Sequence, residues 1–171
     1  MKSIKYIVTC ALLVAALPSI AVAADHPTED ELIKIIQSDA PAKDKAIPCK
    51  QLAIYGSEKA VPALAALLTD KELVSWARIA LEAIPGEKVN EALRAALGKV
   101  KGRGLIGVIN SLGVRRDAKA VGDLAGLLKN TDAGVACAAA AALGRIATPD
   151  AVKALEPSLK AKDADVRSTT A

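Results

Sequence analysis

Residues 112–124 read LGVRRDAKAVGDL, and residues 143–155 read LGRIATPDAVKAL, so one pattern of leucine, valine and small residues recurs 31 positions later. An earlier copy, LAIYGSEKAVPAL, occupies residues 52–64, and a further segment that begins LEAIPG follows the same frame from residue 81. The first leucines of the four copies stand at 52, 81, 112 and 143, with spacings of 29, 31 and 31. A period of about 30 residues over most of a chain indicates a repeat architecture.

Each copy predicts two short helices. Val61, Leu64 and Leu68 stand at i, i+3 and i+7, which places them on one helix face. The residue that opens this second helix is an accepted N-cap type in every copy: Ser57, Gly86, Asp117 and Thr148. Aspartates are placed to cap the first helices as well: Asp70, Asp132 and Asp163. Such short helices are not stable alone, so the pairs must stack on one another, which predicts an all-α fold, an α-solenoid of about four helix pairs.

The composition agrees with closely packed helices. The 171 residues are 52% hydrophobic and 25% charged, which argues against intrinsic disorder. Thirty-six residues are alanine, while Phe is absent and the chain has one Trp and two Tyr, so small side chains must form most helix contacts. A single histidine argues against a histidine-rich metal centre and against catalysis by two histidines. We expect no cofactor and no enzymatic activity.

The N-terminal segment predicts export. Residues 1–23 combine a positive start at Lys2 and Lys5, an apolar run over residues 6–17, Pro18 and the small-x-small sequence of residues 21–23, which together are typical of a signal peptide. The alternative is an uncleaved membrane anchor. Cleavage predicts a periplasmic or secreted protein without stable membrane insertion. It also removes two lysines and lowers the net charge from +4 to +2, which argues against nucleic acid as a partner.

The repeats resemble the HEAT family, and among its members the short HEAT-like repeats of phycobilisome lyases. Two features carry the resemblance: second helices of the type Ala-Val-x-x-Leu-x-x-Leu-Leu, and an acidic-x-x-Val-Arg entry to the first helix. Residues 163–167, DADVR, show that entry fully, while residues 132–136, DAGVA, lack the arginine. The resemblance covers about residues 42–171 and implies a solenoid whose second helices line the concave side. It implies no particular partner.

This register gives a domain organisation. Residues 24–41 are expected to form an N-terminal capping helix and a linker, because residues 28–31, TEDE, have the pattern of a capping box ahead of an apolar run. The solenoid of residues 42–171 then divides into repeats at about 42–70, 71–100, 101–131 and 132–162, with a partial fifth repeat at 163–171. The partial repeat is compatible with a piece of a longer repeat protein or with a frayed tail.

The densest basic zone is the first candidate binding region. It consists of two groups of side chains: Lys99, Lys101 and Arg103, and then Arg115 and Arg116. The groups flank a first helix of about a dozen residues, so we expect them about 18 Å apart, on opposite edges of the solenoid. One interpretation is a grip on an anionic partner, and the other is solvated loop charge.

Trp76 is the second candidate. It shares a column with Gly107, the equivalent residue of the next repeat, so the indole could fill the space that the glycine leaves. Trp is also a frequent hot-spot residue at protein interfaces, which is the alternative interpretation.

The cysteines and the histidine offer weaker possibilities. Cys49 and Cys137 lie three repeats apart, about 25 Å at the usual helix spacing, which is too far for a disulfide. Cleavage before Ala24 would leave His26 as the third residue, where a free amine, two amides and an imidazole could bind Cu(II) or Ni(II).

These observations predict a non-catalytic exported scaffold that binds another protein or peptide. The expected surface on the second helices is mixed in charge, with small residues between: Lys59, Glu91, Arg94, Asp123 and Lys153, and Ala63, Ala66, Ala95 and Gly126. Two alternatives stay open: a repeat-bearing fragment or subunit of a larger exported enzyme, and a lyase-like protein.

Overall fold

A computed structural model describes residues 26–157. The predicted signal peptide and the partial fifth repeat fall outside this range, so both stay predictions. The described part of the chain is helical throughout, without strands. Its helices are α1 (Glu29–Gln37), α2 (Ala42–Tyr55), α3 (Val61–Ala66), α4 (Val74–Ala83), α5 (Glu87–Ala96), α6 (Gly102–Val114), α7 (Val121–Leu127), α8 (Ala133–Ile146) and α9 (Pro149–Leu155). Single 3₁₀ turns extend α3 at both ends and α7 at its start.

The helices stack in two rows. The first helices form one row, in which α2 packs on α4, α4 on α6 and α6 on α8. The second helices lie beside them, with α3 against α5 and α7 against α9. At the N-terminal end, α1 packs on α2 and α3. This arrangement confirms the predicted all-α solenoid.

The leucines that reveal the repeat in the sequence form its core. Leu52, Leu81, Leu112 and Leu143 are each completely buried, one in each first helix. The leucines of the second helices, Leu64, Leu93 and Leu124, are also completely buried. One apolar seam therefore runs through all four helix pairs, and each pair depends on its neighbours to cover it.

The helix starts follow the predicted caps. Thr28 and Glu31 form a capping box at the start of α1. The side chains of Ser57, Asp117 and Thr148 each accept a backbone N–H at the start of the second helix, and Gly86 with φ 111° opens α5. Asp132 accepts the amides of Gly134 and Val135 at the start of α8. Asp163 lies outside the described residues.

Helix α6 forms despite its four glycines because two of them lie where neighbouring helices approach closely. A Cβ added at Gly113 would lie 2.8 Å from the Cα of Ala142 in α8. A Cβ at Gly107 would lie 2.9 Å from Nε of Arg78 in α4. Tertiary packing on both sides of α6 therefore outweighs its low helix propensity.

The structure corrects two expectations. Arg78, rather than Trp76, fills the space over Gly107, and the Trp76 side chain is 41% exposed. The packing interpretation of Trp76 is wrong, because the side-chain atoms closest to Gly107 are those of Arg78 and the indole stays at the surface. On the second helices, Ala63 is buried instead of exposed, and Arg94 is held in ion pairs with only 17% of its side chain accessible.

No helix within residues 26–157 combines the length and the apolar character needed to cross a bilayer.

Candidate functional site

The structure separates the basic zone into two unlike halves at opposite ends of α6. Lys99, Lys101 and Arg103 lie at its N-terminal end, and Arg115 follows its last residue. The expected separation agrees with a helix of 13 residues, which is about 20 Å long. The two halves differ in their contacts.

The N-terminal half lines a groove of about 510 Å³, which we name the basic groove. One wall is the turn that leads into α4, with Asp70, Lys71 and Ser75. The other wall is the segment that leads into α6 and carries Lys99, Lys101 and Arg103. Lys71 could not be assigned to this region from the sequence, because it lies about 30 residues earlier and only the stacking of repeats brings it near.

The C-terminal half is structural. The Arg115 guanidinium donates to the carbonyl oxygens of Glu82 at 3.0 Å, Ile84 at 2.7 Å and Gly86 at 2.9 Å, and to Asn90 Oδ1 at 2.5 Å. These acceptors lie around the end of α4 and the start of α5, in the preceding repeat. Burial lowers the pKa of Arg115. Arg115 thus caps carbonyls of the preceding repeat instead of facing a partner.

An ionic cluster lies beside Arg115 at the same junction. Arg94 pairs with the buried Asp117 and, at 2.8 Å, with Glu87. Lys119 Nζ also lies 2.9 Å from Glu87 Oε1. Hydrogen bonds from Arg94 and Lys119 lower the pKa of Glu87 to about 2. Glu87 therefore stays ionised through neutral pH, and its stabilising contribution is lost only as the pH falls from about 4.5 towards 2.

A second polar network, which sequence analysis did not find, joins α4 and α6. The completely buried Ser111 donates to Glu82 at 2.6 Å and accepts from Arg78 at 2.9 Å, and Arg78 pairs with Glu82 at 3.1 Å. The one sign of this network in the sequence is Ser111, a polar residue among the apolar positions of α6. The network fixes the register of these two helices, since a buried hydroxyl requires its partners.

Trp76 belongs to an apolar surface on the first helices. Its neighbour on α4, Ile79, is 47% exposed, and on α2 Ile47 and Ile54 are 65% and 67% exposed. Each pair shares a helix face, at i, i+3 and i, i+7. Helix α2 packs on α4, and Ile47 is the repeat equivalent of Trp76, so these two side chains occupy the same column on neighbouring helices. We name these four side chains the outer apolar face.

The remaining candidates show no site. Cys49 is a buried free thiol, and burial raises its pKa to about 11, so it is protonated at neutral pH. Cys137 is a half-buried free thiol in α8. The His26 ring lies 5.8 Å from the Tyr55 ring, centroid to centroid. The possible copper site depends on residues 24 and 25, which lie outside the described residues.

The start of α6 lacks the aspartate that accepts backbone amides before α4 and α8. Asp70, Lys101 and Asp132 occupy one column of the repeat, each 31 residues from the next. Asp70 and Asp132 accept backbone amides, whereas Lys101 is the N-cap of α6 without any side-chain hydrogen bond. A cation at a helix N-terminus also opposes the helix dipole. Local stability therefore does not explain why a lysine stands here.

We predict that Arg115→Ala lowers the free energy of unfolding by about 2–3 kcal/mol, because it leaves several carbonyls at the repeat junction without their charged donor. The matched control is Arg116→Ala, since Arg116 is exposed and the only hydrogen bond it makes within residues 26–157 is that of its backbone N–H to the Gly113 carbonyl, which the substitution keeps. The control should change stability by less than about 0.5 kcal/mol. Urea unfolding followed by circular dichroism measures both, and equal effects would contradict the structural role of Arg115.

We predict that Lys101→Asp raises the free energy of unfolding by about 0.5–1.5 kcal/mol, because it supplies α6 with the cap that α8 has. Lys101→Ala removes the cation without adding an acceptor, so it should raise the free energy of unfolding by less than half as much. Thermal unfolding of the two variants and the unchanged protein tests this. A Lys101→Asp protein that is less stable than the original would show that the lysine itself supports the fold.

Comparisons with known proteins agree with this architecture. Residues 104–171 match the family model described as HEAT repeats. Twenty-two solved chains are similar, among them a crystal structure of an engineered protein that is 23% identical, with a TM-score of 0.56 over 83% of this chain and 76% of that one. At that identity the likeness concerns the fold alone. A search of curated proteins found no match. The chain is an α-solenoid of stacked helix pairs, and its residues 104–171 match HEAT repeats.

Proposed function

We propose that this protein is a non-catalytic scaffold that binds another protein through the outer apolar face. The observation that carries the proposal is the exposure of four large apolar side chains, Ile47, Ile54, Trp76 and Ile79, on two adjacent helices. Exposed apolar side chains are unremarkable when scattered singly, but a group on one surface is typical of an interaction site.

The first helices present this face in a fixed geometry. On their opposite sides they contribute Leu52, Ala77, Ala80 and Leu81 to the core, and all four are completely buried. A partner therefore meets two helices whose backbones are already held in place, which reduces the entropy lost on binding. Trp76 is the expected centre of the contact, because Trp is enriched among the residues that dominate binding energy.

The second-helix side is a weaker candidate for the same role. Its charged residues are partly engaged within the protein: Lys59 pairs with Asp30, and Arg94 pairs with Glu87 and Asp117. HEAT repeats match the C-terminal part of the chain, and repeats of this type generally mediate contacts between proteins. We therefore place the partner on the outer apolar face, and we expect a protein or peptide in preference to nucleic acid.

Export is part of this proposal, and it depends on the sequence of residues 1–23. We expect a mature protein in the periplasm or the medium. N-terminal sequencing of the protein from the cells that make it tests this. A chain that begins close to Ala24 supports export, and a chain that retains residues 1–23 within the cell contradicts it.

Site-specific photocrosslinking tests the binding face. A benzophenone amino acid at Ile79 should give crosslinked adducts in an envelope extract, and adding Trp76→Ala should reduce their yield about tenfold or more, as expected for a hot-spot residue. The matched control carries the crosslinker at Gly126, which is exposed in α7. Equal yields at the two positions, or no effect of Trp76→Ala, would contradict the proposed face.

A further inference from the structure

The basic groove lies next to the outer apolar face. Ser75 lines the groove, and Trp76 follows it in the chain at the start of α4. The groove extends from there across the repeat boundary to the entry of α6. A partner that covers Trp76 could therefore reach the groove without leaving the surface of the first helices.

The charge of the groove is strongly one-sided. Four of its lining residues are cations with exposed side chains: Lys71, Lys99, Lys101 and Arg103. Like several other surface cations, none of them forms an ion pair with a carboxylate of residues 26–157. These four charges are thus available to a ligand.

The single acid that lines the groove does not neutralise them. Asp70 Oδ1 accepts the backbone N–H of Glu72 at 2.8 Å and of Leu73 at 3.0 Å. This carboxylate is occupied in closing the turn before α4. The hydroxyl group of Ser75 adds a neutral hydrogen-bond donor to the lining, whereas that of Thr69 donates to the Ala66 carbonyl at 3.3 Å. The groove as a whole offers donors and positive charge, which suits a ligand rich in carboxylates.

The repeat register shows that this charge belongs to one place. The positions equivalent to Lys101 are aspartates in the repeats before and after it, and those equivalent to Arg103 are Glu72 and Gly134. The basic surface therefore does not continue along the row of first helices. A long polyanion would need such a continuous track, whereas a short acidic segment fits within one groove.

We propose that the basic groove binds a short acidic segment of the partner protein, placed beside the apolar segment that covers Trp76. This inference rests on the proposed protein-binding function and adds the chemistry of the partner: apolar side chains next to a run of aspartates or glutamates. Peptide is favoured over nucleic acid because the basic surface is confined to one groove and offers a long polyanion no continuous track.

The test measures binding of a fluorescein-labelled octaglutamate peptide by fluorescence anisotropy at low ionic strength. We expect saturable binding that weakens as salt is added, because exposed charges are screened. The double variant Lys99→Glu, Lys101→Glu should weaken binding at least tenfold. The matched control Lys129→Glu, Lys153→Glu makes the same change in net charge at exposed positions outside the groove, and it should weaken binding less than twofold.

Competition experiments decide the class of ligand. Unlabelled octaglutamate should displace the label, while inorganic phosphate and a single-stranded oligonucleotide of equal charge should do so only at much higher concentration. The inference is overturned if the peptide does not bind, if both double variants lose binding equally, or if phosphate or the oligonucleotide competes better than the peptide.

The outcome is separable from the proposed function. Crosslinking from Ile79 depends on the outer apolar face, so it should persist at a reduced yield in the Lys99→Glu, Lys101→Glu protein. If crosslinking is unchanged in that variant, a partner binds the apolar face and the groove plays no part. If crosslinking fails in the unchanged protein while octaglutamate binds as expected, the apolar face is refuted and the groove is an anion site of its own.

Discussion

The structure depends on one constraint: no helix pair within residues 26–157 can bury its own apolar stripe. In the first three pairs each of the two helices carries a completely buried leucine, and the first helices pack on one another along the stack. Short helices of 6 to 14 residues gain most of their stability from such packing. The stack is therefore the smallest unit that folds, and it leaves one face of each helix free. Those free faces provide the surfaces on which a partner is proposed to bind.

Polar contacts determine how the pairs align. At the junction of the second and third repeats, Arg115 caps carbonyls of the preceding repeat, and Arg94 joins Glu87 to the buried Asp117. On the other side of the same junction, Ser111 is held between Arg78 and Glu82. Apolar packing tolerates small shifts of one helix along another, but these hydrogen bonds do not. Within the described residues, the junction that supports both the basic groove and Trp76 thus has the most hydrogen bonds and ion pairs between repeats.

The fold could be predicted from the sequence because the same residue types recur at a regular spacing. Leucines 29 to 31 residues apart, caps such as Ser57 and Thr148, and small residues at helix contacts all recur in step, so each copy supports the interpretation of the others. The candidate site was predicted only in part. Lys99, Lys101 and Arg103 are neighbours in sequence, whereas Lys71 joins them only through stacking. Arg115 stands in the same basic zone but turns towards the preceding repeat, and composition gives no sign of that direction.

The Trp76 error has a similar cause. The column that contains Gly107 and Trp76 locates both residues along their helices, but it does not determine which side chain of α4 meets α6. In the structure that side chain is Arg78, whose guanidinium also reaches Ser111 and Glu82. A long charged side chain beside a glycine was not expected in a helix contact, because the usual pattern pairs a large apolar residue with a small one. The exchange leaves the indole outside, where binding is proposed.

The mutual dependence of the helix pairs is tested most directly by circular dichroism of the isolated second repeat, residues 71–100, at the temperature at which the whole protein is folded. The account predicts a spectrum of a largely unfolded peptide, because α4 and α5 lose the neighbours that cover Leu81 and Leu93. A helical signal per residue as strong as that of the whole chain would contradict it, since each pair would then fold by itself and the stack would be only an association of independent units.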